Sequence, residues 1–550
     1  MRVFCTDAEP KVSEHQSLHR HVGGLGLLFI SIGAMIGSGW LFAAMYAAEK
    51  AGPASIISWG IGAFMMGLIA LVFAELGATL PLAGGLARYP HLGFGGLTSF
   101  IAGWLCWLGY VVIAPVETLA ILEYLGNIVP WLTTTSGGDR SLSTAGTAIA
   151  VGVLVALTAV NFFGVRWLAR ANTWLTWWKL AVPVFTAVAL LVVGFNAANF
   201  TSHEFAPQGV GGIFSAVSAG GVVFSLIGFR AVIELSGEAR NPQRDVPRAI
   251  IGSILIVTSI YILLQIAFIG VIPEEQLKHG WSGVVLNGAS GPFAAFAMIL
   301  GLSWLAVILY VDATLSPIGT ALVYTASTSR LNVAMSRNRN IPAFVGRVSK
   351  RGLPVFALLM NLAVGMVLLA PLPAWDELAG IVSCATVLTG GIGALSLIIL
   401  RRTYPDIRRS FRLPLGTPIA ILAFMSSALV VYWCGWKVNF TVVVVLAAGL
   451  VGLAISQPFT RKNPRALHLA HGVWLLPYLG GLFLLSWLGD YGGGLAIIPA
   501  PWGDVAVAGW SLLMVPLAVR SGLPRHKSEA LLHSAQEELG NCPGFEAKTD

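Results

Sequence analysis

The chain has 550 residues, of which 56% are hydrophobic and only 11% are charged. Soluble domains carry roughly a quarter charged residues, and no soluble core could hide this much apolar surface. The composition therefore excludes a cytosolic globular enzyme, a disordered chain and a small disulfide scaffold, and it predicts an all-α polytopic membrane protein. The formal net charge of +8 indicates orientation in the membrane rather than nucleic-acid binding, because the basic residues lie between apolar segments.

Both ends of the chain are polar. Residues 1–21 lack the apolar core of a cleavable signal peptide, so we expect a cytoplasmic tail and a first apolar segment that is retained as a helix. Residues 521–550 are expected to form a second cytoplasmic tail. The cysteines form no CxxC pair and predict neither a disulfide nor a metal site; they are Cys5, Cys106, Cys384, Cys434 and Cys542.

Apolar runs long enough to cross a bilayer recur along the chain. A transmembrane helix needs about 20 mainly apolar residues, and the sequence contains about fourteen such runs. They lie near residues 22–48, 54–80, 97–131, 145–163, 174–195, 209–236, 248–271, 290–327, 355–371, 377–400, 417–435, 438–457, 473–489 and 502–519.

The distribution of Lys and Arg predicts the orientation of these spans. With the N-terminus in the cytoplasm, 27 of the 33 basic residues fall in cytoplasmic segments and four fall outside. Such an excess is the signature of the positive-inside rule. We therefore expect a multi-pass protein of the plasma membrane with both termini in the cytoplasm.

Two predicted spans are interrupted by glycines. Gly33, Gly37 and Gly39 lie within the first span, and Gly220-Gly221 lies within the sixth. Each glycine weakens a helix by about 1 kcal/mol, and breaks within lipid are tolerated only where freed backbone groups face a cavity or other protein. Paired breaks predict a transporter with inverted repeats, whereas close packing by small residues is the alternative. The predicted units are residues 22–195 (spans 1–5), 209–402 (spans 6–10) and 417–520 (spans 11–14).

The breaks also predict a ligand class. A half-helix that begins after a break presents unpaired N–H groups and a positive dipole end, which suit a carboxylate. Carbonyl groups freed at the end of the preceding half-helix suit an ammonium group or a cation. A site that offers both kinds of group suits an α-amino acid.

Several motifs resemble those of the amino acid–polyamine–organocation superfamily. They are GAMIGSGWLF, FAELGATLPLAGGLARY, FSLIGFRAVIELSGEARNPQRDVPRAI and the loop at residues 330–354. The resemblance covers roughly residues 20–400 and implies a leucine-transporter-type fold of five plus five spans in inverted repeats, with additional C-terminal helices. The run DATLSPIGTALVYTASTSRLNVAMSRN and the extra spans are most similar to the bacterial aspartate–proton symporter branch.

The resemblance implies a role for residues at both breaks. The Met35 carbonyl would accept the substrate ammonium, and the Ser38 hydroxyl with the Gly39 N–H would hold the carboxylate. Phe224 would cap the substrate, and the Ile227 carbonyl would take a second ammonium hydrogen. The remaining members of the predicted binding set are Ile36, Gly37, Ser225, Gly228 and Arg230.

Charged residues inside the predicted spans are candidates for proton coupling. Lys179 lies in span 5, where a lysine costs about 2.5–3.5 kcal/mol at mid-membrane, unless it snorkels to the interface. The resemblance implies that its ammonium stands in for a sodium ion beside the first break. Glu117 in span 3 is the second proton candidate. Glu117 and Asp312 in span 8 could each equally be a satisfied structural acid.

Arg230 stands where relatives often carry an acidic residue. An arginine facing the cavity could bind an anionic side chain through two hydrogen bonds. The alternative is a simple intrahelical ion pair, because Glu234 follows four residues later.

These observations predict a secondary active transporter for amino acids, coupled to protons, with aspartate or glutamate preferred. The alternatives are a permease or exchanger for neutral or cationic amino acids or polyamines and, from another class, a membrane-embedded enzyme. The sequence contains no HExxH motif for such an enzyme. The expected partners are an amino acid, protons and the lipid bilayer, with no nucleic acid and no cofactor.

Overall fold

The computed structural model describes most of the chain. The described residues are 22–82, 84–136, 139–162, 165–278, 280–284, 291–349, 352–369, 375–407, 409–460 and 467–537. Both predicted tails therefore lie wholly or partly outside the described residues, as do Cys5 and Cys542.

The structure is built almost entirely of helices. Their bounds in chain order are α1 (Gly24–Met35), α2 (Gly39–Ala51), α3 (Ser55–Thr79), α4 (Gly85–Phe94), α5 (Gly96–Val111), α6 (Ile113–Leu125), α7 (Thr144–Asn161), α8 (Val165–Gly194), α9 (Gly209–Ser218), α10 (Val222–Leu226), α11 (Arg230–Glu234), α12 (Pro242–Val271), α13 (Pro292–Ile299), α14 (Ser303–Arg337), α15 (Val355–Leu369), α16 (Trp375–Thr403), α17 (Gly416–Trp433), α18 (Trp436–Thr460), α19 (Leu469–Gly472), α20 (Leu475–Leu488), α21 (Trp502–Arg520) and α22 (Arg525–Glu537).

Among the described residues, a short β-hairpin departs from the all-α prediction. Strand β1 (Thr133–Ser136) pairs antiparallel with β2 (Asp139–Leu142) after α6 ends at Leu125. The residues of β1 are three threonines and a serine, which are poor helix formers. The third span was predicted to extend to residue 131 and therefore ends earlier than expected.

The helices fit a membrane-spanning protein. Eleven helices among the described residues are long and apolar enough to cross a bilayer, and α9 with α10–α11 forms a further, bent candidate. Each predicted run overlaps one or more helices, but the count of fourteen spans and the division into two repeats remain predictions. Large apolar side chains such as Trp174 and Val192 are exposed on the outer helices, where lipid would cover them.

The predicted eighth span differs from the structure. Instead of one helix over residues 290–327, α13 ends at Ile299 and the much longer α14 begins at Ser303. Gly301 has φ +73°, in the left-handed region that glycine adopts without strain, and this turn separates the two helices.

Both predicted breaks are present. The first separates α1 from α2 at Ile36-Gly37-Ser38. The second separates α9 from α10 by a bend of 41°, where Gly221 has φ +84°. A 3-10 turn at Ile227–Phe229 then joins α10 to α11. The half-helix α1 packs against α8, α12 and α14, and α2 packs against α12; α8 and α14 bring side chains to the first break.

The C-terminal helices are anchored to the rest of the molecule by a buried acid. The Glu75 carboxylate at the end of α3 accepts hydrogen bonds from the Arg401 guanidinium and from the Leu413 backbone N–H at 2.7 Å. Arg409 approaches Glu75 to 3.5 Å. Glu75 therefore connects α3, α16 and the segment that enters α17.

Candidate functional site

The first break creates a backbone turn in the middle of the helical bundle. Ile36 leaves the helical conformation with φ −90° and ψ 89°, and α2 restarts at Gly39. A Cβ atom on Gly37 would lie 2.6 Å from Glu117 Oε1 and 2.7 Å from Thr320 Oγ1. A larger residue at position 37 would clash, because the Glu117 carboxylate and the Thr320 hydroxyl lie directly against its backbone.

Lys179 lies at the carbonyl end of this break. Its Nζ atom donates to the Gly33 carbonyl at 2.7 Å and to Thr320 Oγ1 at 2.8 Å. Thr320 in turn donates toward the carbonyls of Gly33 and Ile36, at 3.0 and 3.2 Å. The side chain is fully buried and does not snorkel to the membrane surface. A cation here also faces the negative dipole end of α1.

Glu117 lies at the amide end of the same break. The Ser38 backbone N–H donates to Glu117 Oε2 at 2.7 Å, so a carboxylate caps the positive dipole end of α2. The Ser38 hydroxyl accepts a hydrogen bond from Trp375 Nε1 at 2.9 Å. The groups around the first break are hereafter called the break cluster: Gly33, Ile36, Ser38, Glu117, Lys179 and Thr320.

The sixth span packs tightly onto the first at its own break. A Cβ atom on Gly228 would lie 2.5 Å from the Met35 nitrogen, and one on Gly39 would lie 2.5 Å from Ser225 Oγ. The lack of a side chain at positions 39 and 228 thus allows the two interrupted spans to pack closely. The predicted residues of both breaks therefore form one region.

The two carbonyls predicted to bind an ammonium group already have partners. The Tyr261 hydroxyl donates to the Met35 carbonyl at 2.9 Å, and the Ile227 carbonyl accepts from the Arg230 backbone N–H. A carbonyl oxygen has two lone pairs, so each of these groups retains capacity for a second donor.

Aromatic side chains cover one side of the site. Phe224 meets the Trp375 ring edge-to-face with centroids 5.3 Å apart, and Tyr46 stacks on Trp375 at 5.5 Å. Trp375 thus links predicted residues of both breaks, because it contacts Phe224 and donates to Ser38.

Arg230 is not part of the break cluster. Its Nη2 atom donates to Cys106 Sγ at 3.0 Å, and its guanidinium lies 5.0 Å from the centroid of the Tyr110 ring. Among the described residues, neither oxygen of the Glu234 carboxylate has a hydrogen-bond partner. The simple intrahelical ion pair considered from the sequence is therefore not made by a hydrogen bond between Arg230 and Glu234.

The Asp312 carboxylate is well supplied with hydrogen-bond donors. Its carboxylate accepts hydrogen bonds from Trp178 Nε1 at 2.7 Å, Ser316 Oγ at 2.7 Å and Trp40 Nε1 at 3.0 Å. These donors tie α14 to α8 and to the second half-helix of the first span.

Three residues of this region were missed from the sequence. Thr320 and Tyr261 belong to ordinary apolar runs, where a threonine or an aromatic residue is usually part of the packing. Trp375 lies between the predicted runs 355–371 and 377–400. Only Thr320 had a signal, because it lies two helical turns beyond Asp312 and hence on nearly the same face of α14.

Comparison with known proteins agrees with this architecture. The amino acid permease family matches residues 22–448. The chain is 38% identical over 511 residues to the glutamate/serine transporter AimA of Bacillus subtilis, covering 92% of this chain and 94% of the relative. It is 35% identical over 520 residues to the aspartate-proton symporter of the same organism, covering 94% and 99%. The branched-chain amino acid permease BcaP is 29% identical, covering 82% and 96%. The chain therefore belongs to the amino acid permease family of polytopic membrane transporters.

Proposed function

We propose that the protein takes up amino acids together with protons across the plasma membrane and prefers acidic substrates. The observation that carries the proposal is the pair of buried charges on one helix break: Lys179 at its carbonyl end and Glu117 at its amide end. Two relatives, a glutamate/serine transporter and an aspartate-proton symporter, support this substrate class and coupling ion.

The substrate would bind by its backbone groups at the two breaks. Its carboxylate would accept hydrogen bonds from the Ser38 hydroxyl and the Gly39 N–H at the positive end of α2. Its ammonium group would donate to the carbonyls of Met35 and Ile227. The remaining predicted residues, Ile36, Gly37, Ser225, Gly228 and Phe224, would shape the walls of this site.

Proton coupling would follow from competition between two carboxylates. Glu117 already accepts the Ser38 N–H at 2.7 Å, beside the position proposed for the substrate carboxylate. Two negative charges this close repel each other strongly where water is excluded. A proton on Glu117 removes the repulsion and weakens its hold on Ser38, so substrate and proton would bind together.

The charge of Lys179 would control how firmly the end of α1 is held in place. When charged, its ammonium holds the Gly33 carbonyl and Thr320, as the resemblance implies for a group that replaces sodium. When neutral, it would hold the end of α1 less strongly, because charged hydrogen bonds are stronger than neutral ones. Loss of its proton would therefore favour movement of α1.

Neutral amino acids are the second candidate substrates. The relative named a glutamate/serine transporter makes serine a natural comparison, and the proposed backbone contacts do not depend on the side chain. Arg230 is the residue proposed to favour an acidic side chain.

The orientation of the protein also remains a proposal. The excess of Lys and Arg in alternate loops supports two cytoplasmic termini. Labelling of single cysteines in those loops from each side of the membrane would test it.

A transport assay with the purified protein tests the proposal. In proteoliposomes, labelled aspartate and glutamate should accumulate when the outside is more acidic, and serine or alanine should accumulate less. Lysine and the polyamine putrescine should not accumulate. Uptake of cationic substrates alone, or uptake that ignores the pH gradient, would contradict the proposed substrate class or the proposed coupling.

A first variant tests the carboxylate site. Gly39→Val adds a branched side chain where even a Cβ atom would lie 2.5 Å from Ser225 Oγ. We expect the affinity for alanine, which has no acidic side chain, to fall by at least about tenfold, or about 1.4 kcal/mol, measured by binding to the purified protein. Gly67→Val is the matched control, because nothing lies within 4 Å of a Cβ atom at Gly67. Normal affinity in a folded Gly39→Val protein would mean that the substrate binds elsewhere.

A second variant tests the role of Arg230 in specificity. Arg230→Gln should reduce aspartate uptake selectively relative to alanine. The change in the ratio of the two rates should correspond to about 1.5–3 kcal/mol, the free energy of a lost charged hydrogen bond. The ratio of the two uptake rates in the same preparation is the measurement. An equal loss for both substrates, recovered in the Arg230→Gln, Glu234→Gln double variant, would mean that Arg230 serves only to balance Glu234.

A further inference from the structure

Two opposite charges are buried one helical turn apart on α11. The Arg230 side chain is 2% exposed and that of Glu234 is 1% exposed. Among the described residues, Arg230 Nη1 and both Glu234 oxygens lack hydrogen-bond partners. The N-terminal end of α4 lies beside Glu234, since a Cβ atom on Gly84 would be 3.8 Å from Oε2.

Further unused polar groups surround this pair. The rings of Tyr110 and Tyr324 are in edge-to-face contact, with centroids 5.2 Å apart. Neither hydroxyl has a hydrogen-bond partner within the described part of the chain. We call Cys106, Tyr110, Arg230, Glu234 and Tyr324 the Arg230 cluster.

The Arg230 cluster is distinct from the break cluster. Tyr110 precedes Glu117 by seven residues along α5 and α6, a helical rise of about 10 Å. Tyr324 follows Thr320 by one turn of α14. In the predicted orientation, both displacements lead from the first break toward the cytoplasm.

Buried charges that lack hydrogen-bond partners are costly. A ligand with both an anionic and a cationic group would provide partners for Arg230 and Glu234 at once. Their Cα atoms are about one turn, or 5.4 Å, apart along the helix axis. The side-chain carboxylate of an acidic amino acid is farther from its ammonium group than its α-carboxylate is. It is therefore better able to bridge two separated charges.

We propose that the Arg230 cluster is a second binding site, on the cytoplasmic side of the first, for an acidic amino acid. Arg230 Nη1 would donate to its side-chain carboxylate and Glu234 would accept from its ammonium group. The two tyrosine hydroxyls would complete the polar lining. This inference rests on the proposed function, and it assigns the preference for acidic substrates to this second site.

The site is closed in this structure, because all of its side chains are buried. A ligand enters it only when α5 and α11 separate, a movement that the protein also makes without substrate at the first break. Cys106 lies within the cluster, with Sγ 3.0 Å from Arg230 Nη2, so its thiol reports both the opening of the site and its occupation.

Cysteine labelling of the full chain in proteoliposomes tests the proposal. A variant that keeps Cys106 alone is treated with methyl methanethiosulfonate in the presence of aspartate, alanine or no amino acid, and its mass is followed with time. Cys384 alone is the matched control, because its buried thiol faces Asn439 of α18. We expect Cys106 to react, and aspartate to slow the reaction by about tenfold at ten times its half-protecting concentration, since only ligand-free protein reacts. Alanine should protect much less, and Cys384 should not respond to aspartate.

Two backgrounds separate the second site from the first. With Gly39→Val, aspartate should still protect Cys106, although transport fails. With Arg230→Gln, the protection should be lost. Protection that is lost with Gly39→Val but retained with Arg230→Gln would overturn the second site, as would equal protection by alanine and aspartate or a Cys106 that never reacts. If the parent protein transports no amino acid, the proposed function itself fails.

Discussion

Lys179→Ala should abolish the accumulation of substrate driven by a pH gradient. The ammonium group is the only side-chain cation within the break cluster, and it holds the Gly33 carbonyl at 2.7 Å. Without it, the position of α1 no longer depends on a proton. We expect accumulation to fall to the level reached by simple equilibration, while exchange of internal for external substrate continues. Uptake into proteoliposomes with and without an imposed gradient measures the two activities separately.

The matched control for this variant removes a lysine outside the bundle. Lys437 is exposed and pairs with Glu377, so Lys437→Ala should accumulate substrate normally. Thermal unfolding of both variants distinguishes a loss of coupling from a loss of structure. Gradient-driven uptake that is unchanged in folded Lys179→Ala protein would remove Lys179 from the coupling mechanism.

Glu117→Gln should make substrate binding independent of pH. If the Glu117 carboxylate and the substrate carboxylate exclude each other, one proton binds with each substrate. Affinity then rises by about tenfold for each unit of falling pH while Glu117 is largely ionised. Glutamine keeps the size of the side chain and can still accept the Ser38 N–H, but it cannot take up the proton. Binding measured across a pH series should be steep in the parent protein and flat in the variant.

Glu123→Gln is the matched control, because Glu123 lies on the same helix, α6, and is only half-buried. Its pH series should follow that of the parent protein. A slope that survives in Glu117→Gln would assign the coupled proton to another group.

The features that sequence reasoning predicted are those with a local signal. Long apolar runs predict helices, and the clustered glycines predict both breaks, because several glycines within a few residues weaken a helix. Lys179 and Glu117 were noticeable because charges are rare in apolar helices. The resemblance implied the position of Lys179 beside the first break, and the structure puts its ammonium there. The position of Glu117 on the Ser38 N–H was not predicted and comes from the structure.

Features that depend on contacts between distant spans could not be predicted. Trp375 reaches Ser38 across 337 positions of sequence, and Tyr261 reaches Met35 across 226. Nothing near either aromatic residue indicates such a partner. The lack of a hydrogen bond between Arg230 and Glu234 was also not predictable, because spacing by four residues favours a pair on an isolated helix. In the structure the Arg230 guanidinium contacts Cys106 and Tyr110 instead.

The most direct test of proton-coupled uptake is to measure proton movement itself. Proteoliposomes containing the protein and an internal pH-sensitive dye are given aspartate outside, with equal pH on both sides and the membrane potential clamped. The account predicts that the interior acidifies when aspartate is added, that the rate saturates with aspartate, and that Glu117→Gln and Lys179→Ala proteins produce no acidification. Uptake of labelled aspartate by the same vesicles without acidification would contradict it.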